Sequence, residues 1–290
     1  MAFKQRRFWT ILHRVLFFPI VPVKKRKSRW TQMLLHILTF LVVLYLALCV
    51  FALLFANRMI FPAPKASYSD DKSIIRLPIK DGSEIAAIYL ENPDAEYTIL
   101  YSHGNAEDLG HILPHLKELH KRGFAVMAYD YPGYGLSDGR VGEQGSYEAA
   151  AAAFSYLVIL RDVDPEKIIL YGRSLGSGPS FEIASKRAVA GLIIDGGFAS
   201  TFRVMTRKKI VPWDIFDNLG KVDDISSPVL LIHGTQDRTV PFSHAQTMKE
   251  ALEVPVTTLF VEGAGHNNLI ESAHDDYWDA IINFRESLKE

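Results

Sequence analysis

Ile168-Ile169-Leu170-Tyr171-Gly172-Arg173-Ser174-Leu175-Gly176 decides how this chain is read: a short apolar, β-favouring run enters a Gly-x-Ser-x-Gly pentapeptide, and a helix-like segment follows. A serine at a sharp strand-to-helix turn has its Oγ pushed out of the sheet. Glycines flank it because the two backbones pass too closely there for a Cβ. The stretch therefore centres the chain on a nucleophilic serine, Ser174.

A serine hydroxyl is a poor nucleophile at neutral pH, so a base and a carboxylate to orient it are required. Both are found downstream. The run Pro228 to His233 reads as a buried strand, and the turn after it presents Asp237, the expected acid. Val256 to Val261 reads as another strand, and the glycine-containing loop Glu262 to Asn268 carries His266, the expected general base. The order Ser, Asp, His, each just past a strand, is that of α/β-hydrolases. Charge developing on an attacked carbonyl also needs preset N–H donors. Thr98 to Ser102 reads as a strand running into the turn His103-Gly104-Asn105, so the oxyanion hole is assigned to the amides of Asn105 and of Leu175, the residue after the nucleophile.

Competing residues take structural roles. Asp130 and Asp195 also end apolar runs, and both read as structural carboxylates that bind loop amides, since neither precedes the histidine loop by one strand-helix unit. His111 and His115 share a helix face, but no third ligand is near in sequence and Pro114 interrupts the turn, so they read as a solvated pair and not as a metal site. His103 is expected in the turn behind the site, His233 at a buried strand end, and His244 and His274 at surface helix positions. No metal or organic cofactor is implied.

Outward from these motifs, Ser73 to Ile79 and Glu84 to Leu90 form a hairpin around Asp81-Gly82, and strands then alternate with helical patterns, which predicts a mostly parallel sheet. Helices are expected over 107–122, 144–160, 175–187, 242–252 and 268–288. Residues 196–227 leave room only for a short cap, which favours an open site for a bulky or membrane-borne substrate.

The first 30 residues carry nine Lys/Arg and no acid; the remainder carries 23 bases against 33 acids, a balance of −10, so the formal net charge of −1 hides an asymmetry. An acidic globular part argues against nucleic acid as partner. The basic arm points to a membrane surface. Within it, residues 6–18 mix bases with aromatics and read either as an interfacial segment or as a basic tail. Residues 31–56 are predominantly apolar, with His36 the only residue that could carry a charge, and as a helix reach about 39 Å at ~1.5 Å per residue, enough to cross a hydrocarbon core of about 30 Å. The run is too long for a signal peptide's apolar region. The division expected is a basic segment 1–30, a transmembrane helix 31–56, a linker 57–72 containing Pro62 and Pro64, and a catalytic domain 73–290. Lys24, Lys25, Arg26, Lys27 and Arg29 before the helix, against Arg58 and Lys65 after it, place the N-terminus in the cytoplasm and the catalytic domain on the opposite side. The lone Cys49 reads as lipid-facing or helix-packing, and excludes an intrachain disulfide.

Taken together, residues 101–110, 129–137, 169–176, 227–237 and 261–267 resemble the Bem46-like α/β-hydrolases, and within them the depalmitoylating α/β-hydrolase-domain-containing protein family 17. The resemblance runs from about residue 73 to the C-terminus. It implies the α/β-hydrolase fold, with a mostly parallel eight-stranded sheet, helices on both faces and a short cap. It also implies Ser174 as nucleophile, Asp237 as acid and His266 as base. That subgroup is held at the cytoplasmic face by a lipidated, cysteine-rich N-terminus, which this chain replaces with a spanning helix. The expected activity is a membrane-anchored serine hydrolase that cleaves an acyl ester or thioester, lipidic or lipid-modified substrates included. A serine aminopeptidase or amidase on the same triad, and a catalytically silent binding module, are the alternatives.

Overall fold

The computed structural model describes residues 28–206 and 210–289. The interfacial segment expected over residues 6–18 lies outside them. Eight strands form one sheet: β1 (Ile75–Pro78), β2 (Glu84–Leu90), β3 (Thr98–Ser102), β4 (Ala125–Tyr129), β5 (Ile168–Arg173), β6 (Gly191–Asp195), β7 (Val229–Gly234) and β8 (Val256–Val261). Their order is β1-β2-β4-β3-β5-β6-β7-β8; β2 pairs antiparallel with β1 and β4, and every later pair is parallel. Central strands are buried on both faces, so they read as unbroken apolar runs. The side-chain period of two still divides them: Leu100, Ile168 and Leu170 enter one apolar cluster, whereas Ile99, Ile169 and Tyr171 enter the other.

Helices cover both clusters. On one face lie α3 (Glu143–Ser155), α4 (Ser177–Ala184) and α6 (Ser243–Ala251); on the other lie α2 (Leu109–Lys121), α7 (Leu269–Ala273) and α8 (Asp275–Ser287). The short α5 (Thr201–Thr206) and a 3-10 turn at Leu219–Asp224 occupy the region expected to hold the cap. Three expectations are corrected. The helix foreseen to residue 160 changes to a π-helical turn at Tyr156–Leu160. The terminal helix breaks at His274, whose φ of 50° cannot continue a right-handed helix, so His274 lies between two helices and not within one. And α2 runs through Pro114 without interruption, so Pro114 does not separate His111 from His115.

The apolar helix α1 spans Arg29–Ile60, with a mean hydropathy of 3.0 over its most apolar window, and is long and apolar enough to cross a membrane. The chain divides into two compact units, Met1–Leu53 and Leu54–Glu290, so the last turn of α1 belongs to the unit that holds the sheet. Within that unit Ala56, Ile60 and Phe61 are buried in the core.

The sheet and α4 meet most tightly beside Ser174. A Cβ built on Gly176 would lie 1.9 Å from the Ser102 carbonyl oxygen, and one on Gly172 would lie 2.6 Å from the Gly176 carbonyl oxygen. Both contacts are with backbone, which cannot swing aside. Gly176→Ala should therefore destabilise the fold by at least the roughly 1–3 kcal/mol of an overpacked core. Thermal unfolding should show it as a midpoint lowered by about 2–4 °C for each kcal/mol.

Candidate active site

Parallel strands end their side-chain displays at one edge of the sheet, and loops leaving those ends bring residues far apart in sequence together. β5 delivers Ser174. Its φ of 49° is the left-handed region that a non-glycine residue occupies only when the surroundings enforce it, and the close passage at Gly172 and Gly176 supplies that enforcement. The Ser177 hydroxyl donates to the Ser174 carbonyl oxygen at 2.7 Å, which ties the turn to the first residue of α4.

The loop after β8 delivers His266, and the turn after β7 delivers Asp237. Ser174 Oγ lies 2.9 Å from His266 Nε2, and His266 Nδ1 lies 2.6 Å from Asp237 Oδ2. A carboxylate only accepts, so Nδ1 carries the proton and Nε2 is left to accept from the serine hydroxyl. Asp237 is itself fixed, because its Oδ1 accepts from the amides of Thr239 and Val240, each at 2.8 Å. Burial acts to raise its pKa, but the hydrogen bond and charge of His266, with the Val240 amide, hold the carboxyl below its ordinary value. His233, at the buried end of β7, stands 3.5 Å from the same carboxylate and donates from Nε2 to the Val240 carbonyl oxygen at 2.9 Å; burial lowers its pKa, which favours the neutral ring.

The loop after β3 faces Ser174 from the other side. A Cβ on Gly104 would come within 3.7 Å of Ser174 Cβ, and Asn105 is the next residue. Glu107, which the sequence did not single out, accepts from the Gly104 amide at 2.7 Å and closes this turn. His103 is fully buried, as expected of a residue behind the site: Nδ1 donates to the Gly104 carbonyl oxygen at 2.8 Å, and Nε2 faces Asp130 Oδ1 at 3.4 Å.

The remaining residues separate into roles. Asp130 accepts from the Leu109 amide at 2.9 Å, the loop-amide role expected of it. Asp195 differs: it accepts from the Tyr171 and Tyr277 hydroxyls at 3.1 and 2.7 Å and from Arg173 Nη1 at 3.2 Å. Arg173 was also missed. Its Nη2 donates to the His266 carbonyl oxygen at 3.1 Å and to Asn267 Oδ1 at 3.3 Å, so the residue before Ser174 braces the histidine loop against β6. His244 is buried and not at the surface, because the Ala199 amide donates to its Nδ1 at 3.1 Å. Of the pair expected to be solvated, His111 is exposed and His115 is half-buried. Its ring centre lies 5.4 Å from those of both Tyr101 and Trp278, and burial pushes its pKa down to about 4. Among the described residues, no three or more His, Cys, Asp or Glu are grouped as a metal would require.

Comparison with known proteins places the chain in a family. Residues 93–209 match the family model described as serine aminopeptidase, S33. Over 192 residues the chain is 40% identical to α/β-hydrolase domain-containing protein 17B of Homo sapiens, covering 65% of this chain and 67% of that protein. The chain belongs to the α/β-hydrolase domain-containing protein 17 family. Another family member, protein 17C of Mus musculus, is 40% identical over 180 residues, 61% of this chain and 56% of that protein. Among solved structures the fold is similar to the esterase Pf2001 of Pyrococcus furiosus, at 19% identity with a TM-score of 0.65, over 78% of this chain and 98% of that one. The acylaminoacyl peptidase of Pyrococcus horikoshii is similar at 14% identity with a TM-score of 0.59, over 73% of this chain and 41% of that one. The family is one of α/β serine hydrolases, and its fold serves both esterases and peptidases.

Because the folded pKa of Asp237 lies below the unfolded value of about 3.9, the group contributes stability that is fully present above that value and is lost as pH falls through the lower folded pKa. In Asp237→Asn that contribution should be absent. The difference in unfolding midpoint between wild type and variant should be constant above about pH 5 and shrink steadily below pH 4. A difference that holds constant down to pH 2 would contradict the depressed carboxylate.

Proposed function

We propose that this chain is a membrane-anchored serine hydrolase that cleaves acyl ester or thioester bonds through Ser174, His266 and Asp237. The observation that carries this reading is the unbroken relay of 2.9 and 2.6 Å from serine to imidazole to a carboxylate already fixed by two amides. Ser174 Oγ attacks the acyl carbonyl carbon while His266 Nε2 takes its proton. The developing oxyanion is held by the amides of Asn105 and Leu175. His266 returns the proton to the departing alcohol or thiol, leaving an acyl-enzyme. Water, activated by the same imidazole, then releases the acid and restores the serine. Throughout, Asp237 orients the ring and stabilises the imidazolium.

An acyl compound carried in or at a membrane fits the long apolar helix and a partly exposed Ser174 beneath only a short cap. In the proposed orientation the basic residues 24–29 stay in the cytoplasm and the catalytic domain lies on the opposite side. Amide cleavage is the second reading, favoured by the aminopeptidase description of the matching family model.

A rate comparison across short and long acyl esters, matching thioesters and an aminoacyl amide decides between them. The ester or thioester reading requires kcat/KM for those substrates to exceed that for the amide. Ser174→Ala should lower kcat by about 10⁶-fold. A preference for the amide would transfer the assignment to the peptidase reading, and equal rates for wild type and Ser174→Ala would remove the enzyme reading altogether.

A further inference from the structure

The residues between the apolar helix and β1 are more than a tether. From Ile60 to Tyr68 the chain runs along the loop that carries Asn105 and is tied to it repeatedly. Asn105 Nδ2 donates to the Ile60 carbonyl oxygen at 2.5 Å. That carbonyl belongs to the last residue of α1, where helix carbonyls lack intrahelical partners and the helix dipole is negative, so an amide donor is well matched to it. The other side-chain atom of Asn105 is also committed, since Oδ1 accepts from the Tyr134 hydroxyl at 2.8 Å and from the Ala106 amide at 3.1 Å. Ala106 then turns into the left-handed region, with φ of 59°. Between these bonds the Asn105 side chain has no freedom to rotate, and its backbone is held with it.

Further along, the Ser67 amide and hydroxyl donate to the two oxygens of Asp108 at 2.6 and 2.5 Å. Asp108 is fully buried and also caps α2 through the His111 amide at 3.0 Å. The Tyr68 hydroxyl donates to Asp130 and accepts from the Leu136 amide at 3.2 Å, while Lys65 bridges to Gly135. Phe61 is buried edge-on against Phe216, with ring centres 5.8 Å apart. The fit over α2 is close enough to need a glycine: a Cβ on Gly110 would meet Ser67 Oγ at 2.3 Å and the Ser67 carbonyl carbon at 3.1 Å.

We infer that Ile60–Tyr68 is a strap that sets the position of the Asn105 main-chain N–H toward Ser174, with the Asn105 side chain as its positioning group. This rests on the oxyanion role proposed above for that amide. A donor displaced by a few tenths of an ångström still allows the ground-state ester to bind but serves the tetrahedral oxyanion less well. Loss of the strap therefore acts on kcat and leaves KM in place.

The test uses the full chain in detergent micelles with a p-nitrophenyl ester as substrate and a trifluoromethyl ketone of matching acyl chain as mimic of the tetrahedral state. Asn105→Ala keeps the main-chain donor and removes the tie to Ile60. Gly110→Ala changes no residue of the Asn105 loop and pushes the strap outward at Ser67. Since deleting an oxyanion donor costs about 10²–10³-fold in kcat, a misplaced one should cost about 10-fold or more. In both variants kcat should fall with KM nearly unchanged, and the ketone Ki should rise by the same factor that kcat/KM falls. A strap that merely adds stability would lower the unfolding midpoint and leave Ki at the wild-type value. That result, in either variant, overturns the inference. Because Gly110 lies on α2 away from the relay, its variant keeps the test decisive even if Asn105→Ala fails to fold. Hydrolysis that depends on Ser174 in wild type, with both variants indifferent, would sink the strap alone; hydrolysis surviving Ser174→Ala would sink the triad reading.

Discussion

The close passage of the start of α4 over β5 at Gly172 and over the end of β3 at Gly176 is the constraint on which the rest of the structure depends. With no room for a Cβ on either side, the chain turns through a single residue, and Ser174 takes a positive φ that exposes its Oγ above the sheet edge. Such a conformation costs on the order of 1–3 kcal/mol, and the surrounding parallel strands, buried on both faces, supply the rigidity that sustains it. A hydroxyl held this way is already in place before any ligand arrives.

The same sheet gives the other groups their positions. β7 and β8 pair in parallel with Gly234 opposite Val261, so the turn bearing Asp237 and the loop bearing His266 leave the sheet side by side. Two amides fix the carboxylate, the carboxylate fixes the ring, and Arg173 holds the ring's own carbonyl against Asp195. Opposite them, the loop after β3 is held from beneath by Glu107 and from outside by the last residue of the apolar helix and the residues that follow it. Strength in this arrangement comes from partly buried, mutually dependent bonds, each orienting the next.

What the sequence disclosed follows from the range of the forces involved. Strands and the three polar residues at their ends were legible because apolar runs, glycines and turn residues act within a few positions of one another. All eight strands lie where the apolar runs indicated, with ends displaced by a few residues at most. What stayed hidden was set by contacts across long separations. Nothing near Asn105 announces that its side chain meets Ile60, 45 positions earlier. The partial burial of His115 follows from α8 packing over α2, and the burial of His244 goes with the Ala199 amide reaching it across 45 positions; neither leaves a mark in the local pattern. Pro114 was read as a breaker, yet packing of Ile112, Leu116 and Leu119 carries α2 through it. The π-helical turn at 156–160 likewise has no local signal.

The convergence of Ser174, His266 and Asp237 is the central claim, and covalent trapping tests it most directly. Intact-mass analysis of the full chain after exposure to an alkyl fluorophosphonate, followed by peptide mapping, should find one adduct per molecule, on Ser174, formed far more slowly in His266→Ala. An unmodified chain, or an adduct on any other residue with Ser174 free, would contradict the account.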